Sequence, residues 1–374
     1  MINILQNYLR QFGPDKLKEE YFIKHKQHYK YPNLYLFKYD QINSDFTKSI
    51  VKVCRGIILN RDNDWKPVCY PYEKFFNWGE KEASQIDWRH YPNIYEKLDG
   101  SLISLWYYDY KWHVSTSGTP DAMCYVGGTN FLFRDLFWKV WNELGYKLPD
   151  VSKCAGLLDF TYMFELMTPF NRVVVDHKKN DIKLHGARGL ISLQERDPDY
   201  IVQEFDLNWK TVKKYNFKNL FEIIDMTKTM KGIEQEGFVV CDYKFNRIKI
   251  KCDDYVKLHH CVSGMSTRKM IEIIQKNETE EILNYFPSYK EMFAEIKEKY
   301  ENLIIETEKC YDNFKNIENQ KDFALAVKDL SYSSALFNVR NMKNKSFREF
   351  YSQMSVKKLE IFLGLNNVNL INEE

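Results

Sequence analysis

Glu96-Lys97-Leu98-Asp99-Gly100-Ser101, running straight into Leu102-Ile103-Ser104-Leu105-Trp106-Tyr107-Tyr108, is the stretch on which the fold reading turns. Its second half is apolar and aromatic without Gly or Pro, which predicts a strand. Its first half sets a lysine and an Asp-Gly pair at the strand's entrance. Asp-Gly is a common hairpin-turn dipeptide, so taken alone Lys97 reads as a solvated turn residue. Runs of similar texture lie on both sides: Gly56-Ile57-Ile58-Leu59, Arg172-Val173-Val174-Val175, Leu190-Ile191-Ser192-Leu193 and Gly237-Phe238-Val239-Val240. Turn residues bound them, and each is expected to be a strand. Among them Asn130 to Leu144 carries apolar residues at helical spacing. The mixture predicts an α+β domain over residues 1–254 with largely antiparallel sheets.

From Tyr255 onward the period changes. Met270, Ile271, Ile273 and Ile274, then Met292, Phe293, Ile296 and Tyr300, recur at three- and four-residue spacing. Phe323, Leu325, Ala326 and Leu330 do the same, as do Phe350, Met354, Leu359 and Leu363. Several amphipathic helices are expected, forming a helical domain over 255–374. Pro287 and Gly364-Leu365-Asn366-Asn367 read as boundaries or caps. A chain of 374 residues is long enough for two such domains.

Composition narrows the function only by exclusion. The net charge is +2, so no global basic field announces nucleic acid, and any site for a polyanion would have to be a local patch. No apolar stretch is long enough for a bilayer, and Met1 to Gln6 lacks a signal-peptide core, so an intracellular, cytoplasmic chain is expected. Eight cysteines are scattered without a Cys-x-x-Cys pair. The grouping of Cys252, His259, His260 and Cys261 fits no familiar zinc spacing, so free thiols are expected. No Gly-x-x-x-x-Gly-Lys-Ser/Thr string is present, which removes the P-loop enzymes.

What raises Lys97 above chance is the order of the charged strings around it. Upstream stand Cys54-Arg55-Gly56 and Tyr72-Glu73-Lys74-Phe75-Phe76-Asn77; downstream stand Phe164-Glu165-Leu166, Glu236-Gly237-Phe238 and Ile248-Lys249-Ile250-Lys251. Period-two alternation puts Lys249 and Lys251 on one strand face and their apolar neighbours on the other. Four cations (Arg55, Lys74, Lys249, Lys251), two carboxylates and a turn lysine are what a nucleoside triphosphate and its metal need. Each string alone is also compatible with the polar face of a half-buried strand.

The ordered set Lys-x-Asp-Gly, Phe-Glu, Glu-Gly and Lys-x-Lys resembles the covalent nucleotidyltransferases: DNA ligases, RNA ligases and mRNA capping enzymes. Cys54-Arg55-Gly56-Ile57, Glu73-Lys74-Phe75-Phe76-Asn77 and Pro169-Phe170-Asn171-Arg172-Val173-Val174 make it most similar to the tRNA-repair RNA ligases of T-even phages, over about residues 50 to 260. The resemblance implies an ATP-dependent RNA ligase that uses Mg²⁺ or Mn²⁺, with no stable protein partner. Lys97 would attack the α-phosphate of ATP and become lysyl-AMP. AMP would pass to an RNA 5′-phosphate, and a 3′-hydroxyl would then displace it. A free lysine is protonated at neutral pH; Lys249 and Lys251 would lower the pKa of Lys97 and release its lone pair. By the same resemblance Asp99 orients Lys97 or a ribose hydroxyl and Lys249 and Lys251 hold phosphates. Arg55 and Lys74 reach the β/γ end or the ribose. Phe76, Glu96 and Gly100 belong to the nucleotide site, and Glu236 and Glu165 are the metal carboxylates, Glu165 also serving the ribose. The RNA is expected to be single-stranded or a broken tRNA anticodon loop, recognised with help from the helical C-terminal domain.

The chain departs from the resembled family at one point. A basic residue is usual in the short motif after the nucleophile strand, whereas His113-Val114-Ser115-Thr116-Ser117-Gly118-Thr119 has neither Lys nor Arg, and Arg134 lies too far along to substitute. His185, Arg188 and Arg196 read as surface or loop residues. Arg340, Lys343, Lys345 and Arg348 form a short basic cluster, read as either a phosphate contact or a solvated helix face. Two other readings stay open: a capping guanylyltransferase or DNA ligase, which would carry a β-barrel where helices are expected, and a non-catalytic RNA-binding relative.

Overall fold

The computed structural model describes residues 2–127, 129–150, 155–175, 177–261, 266–285, 289–341 and 346–365. Chain contacts divide it into two compact units, Met1–Asp40 with Ser44–His259, and Gln41–Asn43 with His260–Glu374.

The first unit is mixed α/β with three sheets. Strands Ile23–Gln27, Leu34–Tyr39, Arg55–Asn60 and Lys66–Cys69 form an antiparallel meander. The helix Ile2–Tyr21, broken at Gly13 and Pro14, shares a core with it through Ile2, Leu5, Leu9 and Leu17. A second sheet orders Glu195–Arg196, Asp181–Gly189, Phe160–Met167, Ser101–Tyr108 and Lys111–Thr116, all antiparallel. Helix Phe133–Glu143 buries Leu136, Phe137, Val140 and Trp141 in the core of that sheet, beside Phe164 and Leu166. Each such side chain contributes about 1.5–3 kcal/mol. The third sheet orders Lys214–Tyr215, Asn93–Lys97, Gly237–Cys241, Arg247–Lys251 and Phe76–Asn77. Its last pair is parallel, Ile248 opposite Phe76, and the rest are antiparallel.

Two stretches expected as strands are not. Arg172–Val175 has no ladder partner because the backbone N–H groups of Val174 and Val175 both donate to Asp99 Oδ2, at 2.8 and 2.7 Å. Leu190–Leu193 is the turn between Asp181–Gly189 and Glu195–Arg196, with Leu193 at a positive φ. Its leucines pack on the first core instead of entering a sheet. The Asp99-Gly100 pair does not close a hairpin either. It carries the chain from the third sheet, at Lys97, across to the second, at Ser101.

In the second unit the described elements are helices: Thr267–Gln275, Thr279–Tyr285, Lys290–Asp312, Gln320–Val327, Ser333–Asn341, Phe347–Gln353 and Val356–Phe362. Met270, Ile271, Ile274, Phe293, Ile296, Tyr300, Phe323 and Leu359 share one buried core, as their spacing predicts, while Leu325 points out to solvent. Gly364 ends the last helix at φ 66°, a left-handed position that favours glycine. Pro287, Asn366, Asn367, Lys343 and Lys345 lie outside the described residues. Arg340 is spent on the carbonyls of Ile317 and Glu318, and Arg348 pairs with Glu301, so these two members of the basic cluster brace the unit itself. Among the described residues no helix is long and apolar enough to cross a membrane.

Candidate active site

Strand register assembles the charged groups. Gly237 lies opposite Lys97 on one side and Lys251 on the other, and Val239 lies between Tyr95 and Lys249 in the same way. Residues opposite each other across strands share a face, so Lys97, Lys249 and Lys251 emerge together. Ile94, Phe238, Val240, Ile248 and Ile250 fill the core behind them. Gly237 has no side chain to stand between the two lysines, and at φ 148° a Cβ would strike the Ile250 carbonyl. Glu236, 5% exposed, enters from the residue before it. Its Oε2 accepts from Lys97 Nζ at 2.5 Å, and its Oε1 lies 3.6 Å from Lys251 Nζ. Lys97 thus meets its cationic neighbour across a shared carboxylate rather than directly.

Above this face is a cavity of about 370 Å³. Tyr95, Glu96, Lys97, Val239, Arg247 and Lys249 line it from the third sheet, and Leu102, Glu165 and His185 from the second. Arg55, Phe75, Gly100 and Ser117 are also part of the wall. Gly100 is required by space: a Cβ there would run into the Leu166 carbonyl. Glu96 Oε1 accepts from Lys183 Nζ and from the Lys213 backbone N–H, both at 2.8 Å. Glu165 Oε2 stands 3.5 Å from His185 Nε2. Among the described residues no three His, Cys, Asp or Glu side chains gather as a cage for a metal ion.

Several sequence expectations are corrected by placement. Asp99 does not reach toward a ligand: it is 4% exposed, with Oδ2 on the Val174 and Val175 N–H groups and Oδ1 on Tyr255 Oη at 2.9 Å. His177 Nε2 donates to the Asp99 carbonyl at 2.6 Å. Asn171 adds bonds to the Leu166 carbonyl at 2.7 Å and Ser101 Oγ at 3.0 Å. Asp99 thus ties the 97–100 stretch to Val174, Val175 and Tyr255, a placement that suits the expected orienting of Lys97 and not a contact with a ribose hydroxyl. Phe76 is turned away and buried under the ammonium of Lys74, 5.4 Å from its ring; alternation brings Phe75 to the cavity instead, between Arg55 and Lys249. Lys74 and Phe76 line a neighbouring cavity of about 710 Å³. His185 and Arg188 are not surface residues. The first stacks on Tyr72 at the cavity wall, and the second is buried against Glu195 and Glu73. Arg196 alone of that trio is exposed.

Tyr72, Phe75, Arg247 and Tyr255 were not singled out from sequence. A signal existed for one of them: Arg247 stands two residues before Lys249 in an alternating strand. Burial pushes the Tyr72 hydroxyl well above the ordinary tyrosine range, so it stays protonated and donates to the His185 carbonyl at 2.6 Å.

The pinning of Asp99 is open to test. Tyr255→Phe removes one buried donor and should cost about 1–3 kcal/mol in urea unfolding, with slower chemistry at Lys97 as the 97–100 stretch loosens. Unchanged stability and rate would mean that the Tyr255–Asp99 bond positions nothing.

The model of the RNA ligase family matches residues 53–255. An RNA ligase of Rhodothermus phage RM378 is 26% identical over 380 aligned residues, which cover 82% of this chain and 84% of that ligase. A protein assigned as a bifunctional polynucleotide kinase/RNA ligase in Autographa californica nuclear polyhedrosis virus is 27% identical over 296 residues. That match takes in 74% of this chain but spans only 41% of the viral protein. Among solved structures, a Naegleria gruberi RNA ligase mutant with ATP and Mn aligns at 14% identity and a TM-score of 0.34, covering 45% of this chain and about half of that one, 51%. A protein assigned as an ATP-dependent DNA ligase from Aquifex aeolicus aligns at 12% identity and a TM-score of 0.43, covering 79% and 76%. The family match includes Arg55, Lys97, Glu165, Glu236, Lys249 and Lys251 and extends over more than half of the sequence: the chain belongs to the RNA ligase family.

Proposed function

We propose that this chain is an ATP-dependent RNA ligase that carries AMP on Lys97 and seals RNA 5′-phosphate and 3′-hydroxyl ends. The observation that supports it best is Lys97 in the lining of the 370 Å³ cavity together with Arg55 and Lys249, its Nζ 2.5 Å from a buried carboxylate that Lys251 also approaches. In the first step Lys97 Nζ, having shed a proton, bonds to the α-phosphorus of ATP. The bond from that phosphorus to the β-phosphate oxygen breaks and pyrophosphate leaves. Glu236 holds the ammonium in line before the step and is in place to receive its proton. Lys249 and Lys251 lie where they would offset charge on the α-phosphate oxygens. AMP then passes to an RNA 5′-phosphate, and the 3′-hydroxyl of the other end displaces it.

Glu236 and Glu165 suit a magnesium or manganese ion by donor chemistry. Both offer hard carboxylate oxygens, Glu165 from the cavity lining and Glu236 from behind Lys97, and Mg²⁺ typically takes one or two carboxylates with substrate phosphates and waters rather than a full protein cage. When bound, such an ion neutralises charge on the phosphate oxygens. On this reading residues 1–254 form the adenylyltransferase domain, and residues 255–374 a helical domain that recognises single-stranded RNA or broken tRNA anticodon loops in the cytoplasm. With a divalent metal, α-labelled ATP should label the protein covalently and α-labelled GTP should not. Labelling from GTP would favour capping chemistry, and labelling from neither a non-catalytic relative.

A further inference from the structure

The stretch 113–119 lacks the basic residue expected there, yet its tip is not without a cation. Lys38, on the strand Leu34–Tyr39, extends its ammonium to Ser117 Oγ at 3.4 Å, across 79 positions of sequence. It also lies along Gly118, where an added Cβ would sit 3.5 Å from Lys38 Nζ. The loop is held for this approach: Thr116 Oγ1 accepts from the N–H groups of Gly118 at 3.2 Å and Thr119 at 3.0 Å. Gly56, at φ 91°, lets Ser117 close on Arg55-Gly56, since a Cβ at Gly56 would meet Ser117 Cα at 2.8 Å.

Two cations are thereby placed beside each other without an acid. Among the described residues neither Lys38 nor Arg55 has an ion-pair partner, and Arg55 Nη1 is buried with no hydrogen bond. Burial lowers the pKa of Lys38, and the charge of Arg55 pushes the same way. A half-buried like-charged pair is unfavourable unless an anion completes it. Arg55 and Ser117 line the same cavity as Lys97, so the anion belongs to whatever Lys97 reacts with. The step at Lys97 discharges one strongly anionic group, pyrophosphate, while Glu236 already compensates Lys97 and Lys251.

We propose that Lys38, together with Arg55, binds the β- and γ-phosphates of ATP and the departing pyrophosphate, supplying from the strand Leu34–Tyr39 the charge that the 113–119 loop lacks. The proposal rests on the ATP-dependent reading above.

The test uses the full chain as wild type, Lys38→Ala, Lys38→Arg and the double variant Lys38→Ala/Ser117→Lys. Three quantities are read: the rate of labelling by α-labelled ATP, discharge of AMP from the adenylylated protein by inorganic pyrophosphate, and sealing of pre-adenylylated RNA. Lys38→Ala should slow labelling about 10²-fold, in the range of one lost electrostatic donor, and should demand correspondingly more pyrophosphate for discharge. Sealing of pre-adenylylated RNA should stay near wild type, since no pyrophosphate takes part. Lys38→Arg should keep most of the labelling, and Ser117→Lys in the Lys38→Ala background should recover much of it. Unchanged labelling would overturn the proposal. So would equal losses in labelling and in sealing, which would place Lys38 on RNA phosphate or in the scaffold. A wild type that ATP does not label would instead defeat the reading of the site itself.

Discussion

Lys97→Ala is expected to abolish transfer of label from ATP to the protein while leaving the sealing of pre-adenylylated RNA measurable. The loss should be about 10⁴-fold or more, the scale on which removal of a covalent nucleophile acts. Lys97→Arg should fail as completely, because a guanidinium keeps its proton in proteins and offers no lone pair. The second assay gives the experiment its force. Removing Lys97 takes from Glu236 its 2.5 Å partner, and an unpaired buried carboxylate can be costly. Lys251 remains 3.6 Å from the other oxygen of the same carboxylate, so the charge keeps a counter-ion and the fold should hold. Pre-adenylylated RNA arrives with AMP already attached and asks only that the cavity bind it and position the 3′-hydroxyl. Loss of labelling with retained sealing would fix Lys97 as the carrier of AMP. Loss of both would point to a collapsed site, and residual labelling would assign the covalent bond to another side chain.

How far the sequence discloses this site depends on whether a residue's neighbours are close in the chain. The strand bearing Lys249 and Lys251 was legible because alternation is local: Ile248 and Ile250 are 4% and 3% exposed, and the lysines stand opposite Val239 and Gly237. The core stripes of Thr267–Gln275 and Lys290–Asp312 were legible for the same reason, at a period of 3.6 rather than 2. The N-terminal helix carries an equally local pattern in Ile2, Leu5 and Leu9. What stayed hidden was long-range. Arg172–Val175 has the composition of a strand, and only Asp99, more than seventy positions earlier, takes its N–H groups away from a ladder. That Phe75 rather than Phe76 faces the cavity follows from a two-residue parallel pairing with Ile248 and Lys249, which no local pattern encodes. Lys38 is one charge in Leu34-Tyr35-Leu36-Phe37-Lys38-Tyr39, indistinguishable from any polar residue on a half-buried strand until the loop at Ser117 lies beside it.

The largest stability effect is expected from Glu195, which no ligand needs to touch. Its carboxylate is 7% exposed and pairs with two buried guanidinia, Arg188 and Arg247, the latter at 2.5 Å. The group holds together the wall that both cavities share. Arg247 stacks 4.4 Å from the Tyr72 ring, and Arg188 lies 4.1 Å from the Tyr70 ring and also faces Glu73 at 3.7 Å. Glu195→Gln keeps the shape but removes the charge, leaving two buried cations with Glu73 as their remaining acid. Breaking a buried ion pair in this way costs about 3–5 kcal/mol. The pH dependence follows from the same geometry. Burial would raise the Glu195 pKa, but Arg247 and Arg188 outweigh it and hold the carboxyl below its ordinary value of 4.5. A depressed folded-state pKa means that the unfolded chain binds the proton first. The stabilisation is therefore complete above the ordinary carboxylate range and drains away as the pH falls through 4.5 toward the lower folded-state value. Urea unfolding at pH 7 should give the full deficit for Glu195→Gln. As the pH falls through and below 4.5 the gap between variant and wild type should narrow, because acid neutralises in the wild type the charge that the variant already lacks. A gap that does not change with pH would mean that the variant's cost comes from packing, and no gap at pH 7 would mean that the two arginines are compensated without Glu195.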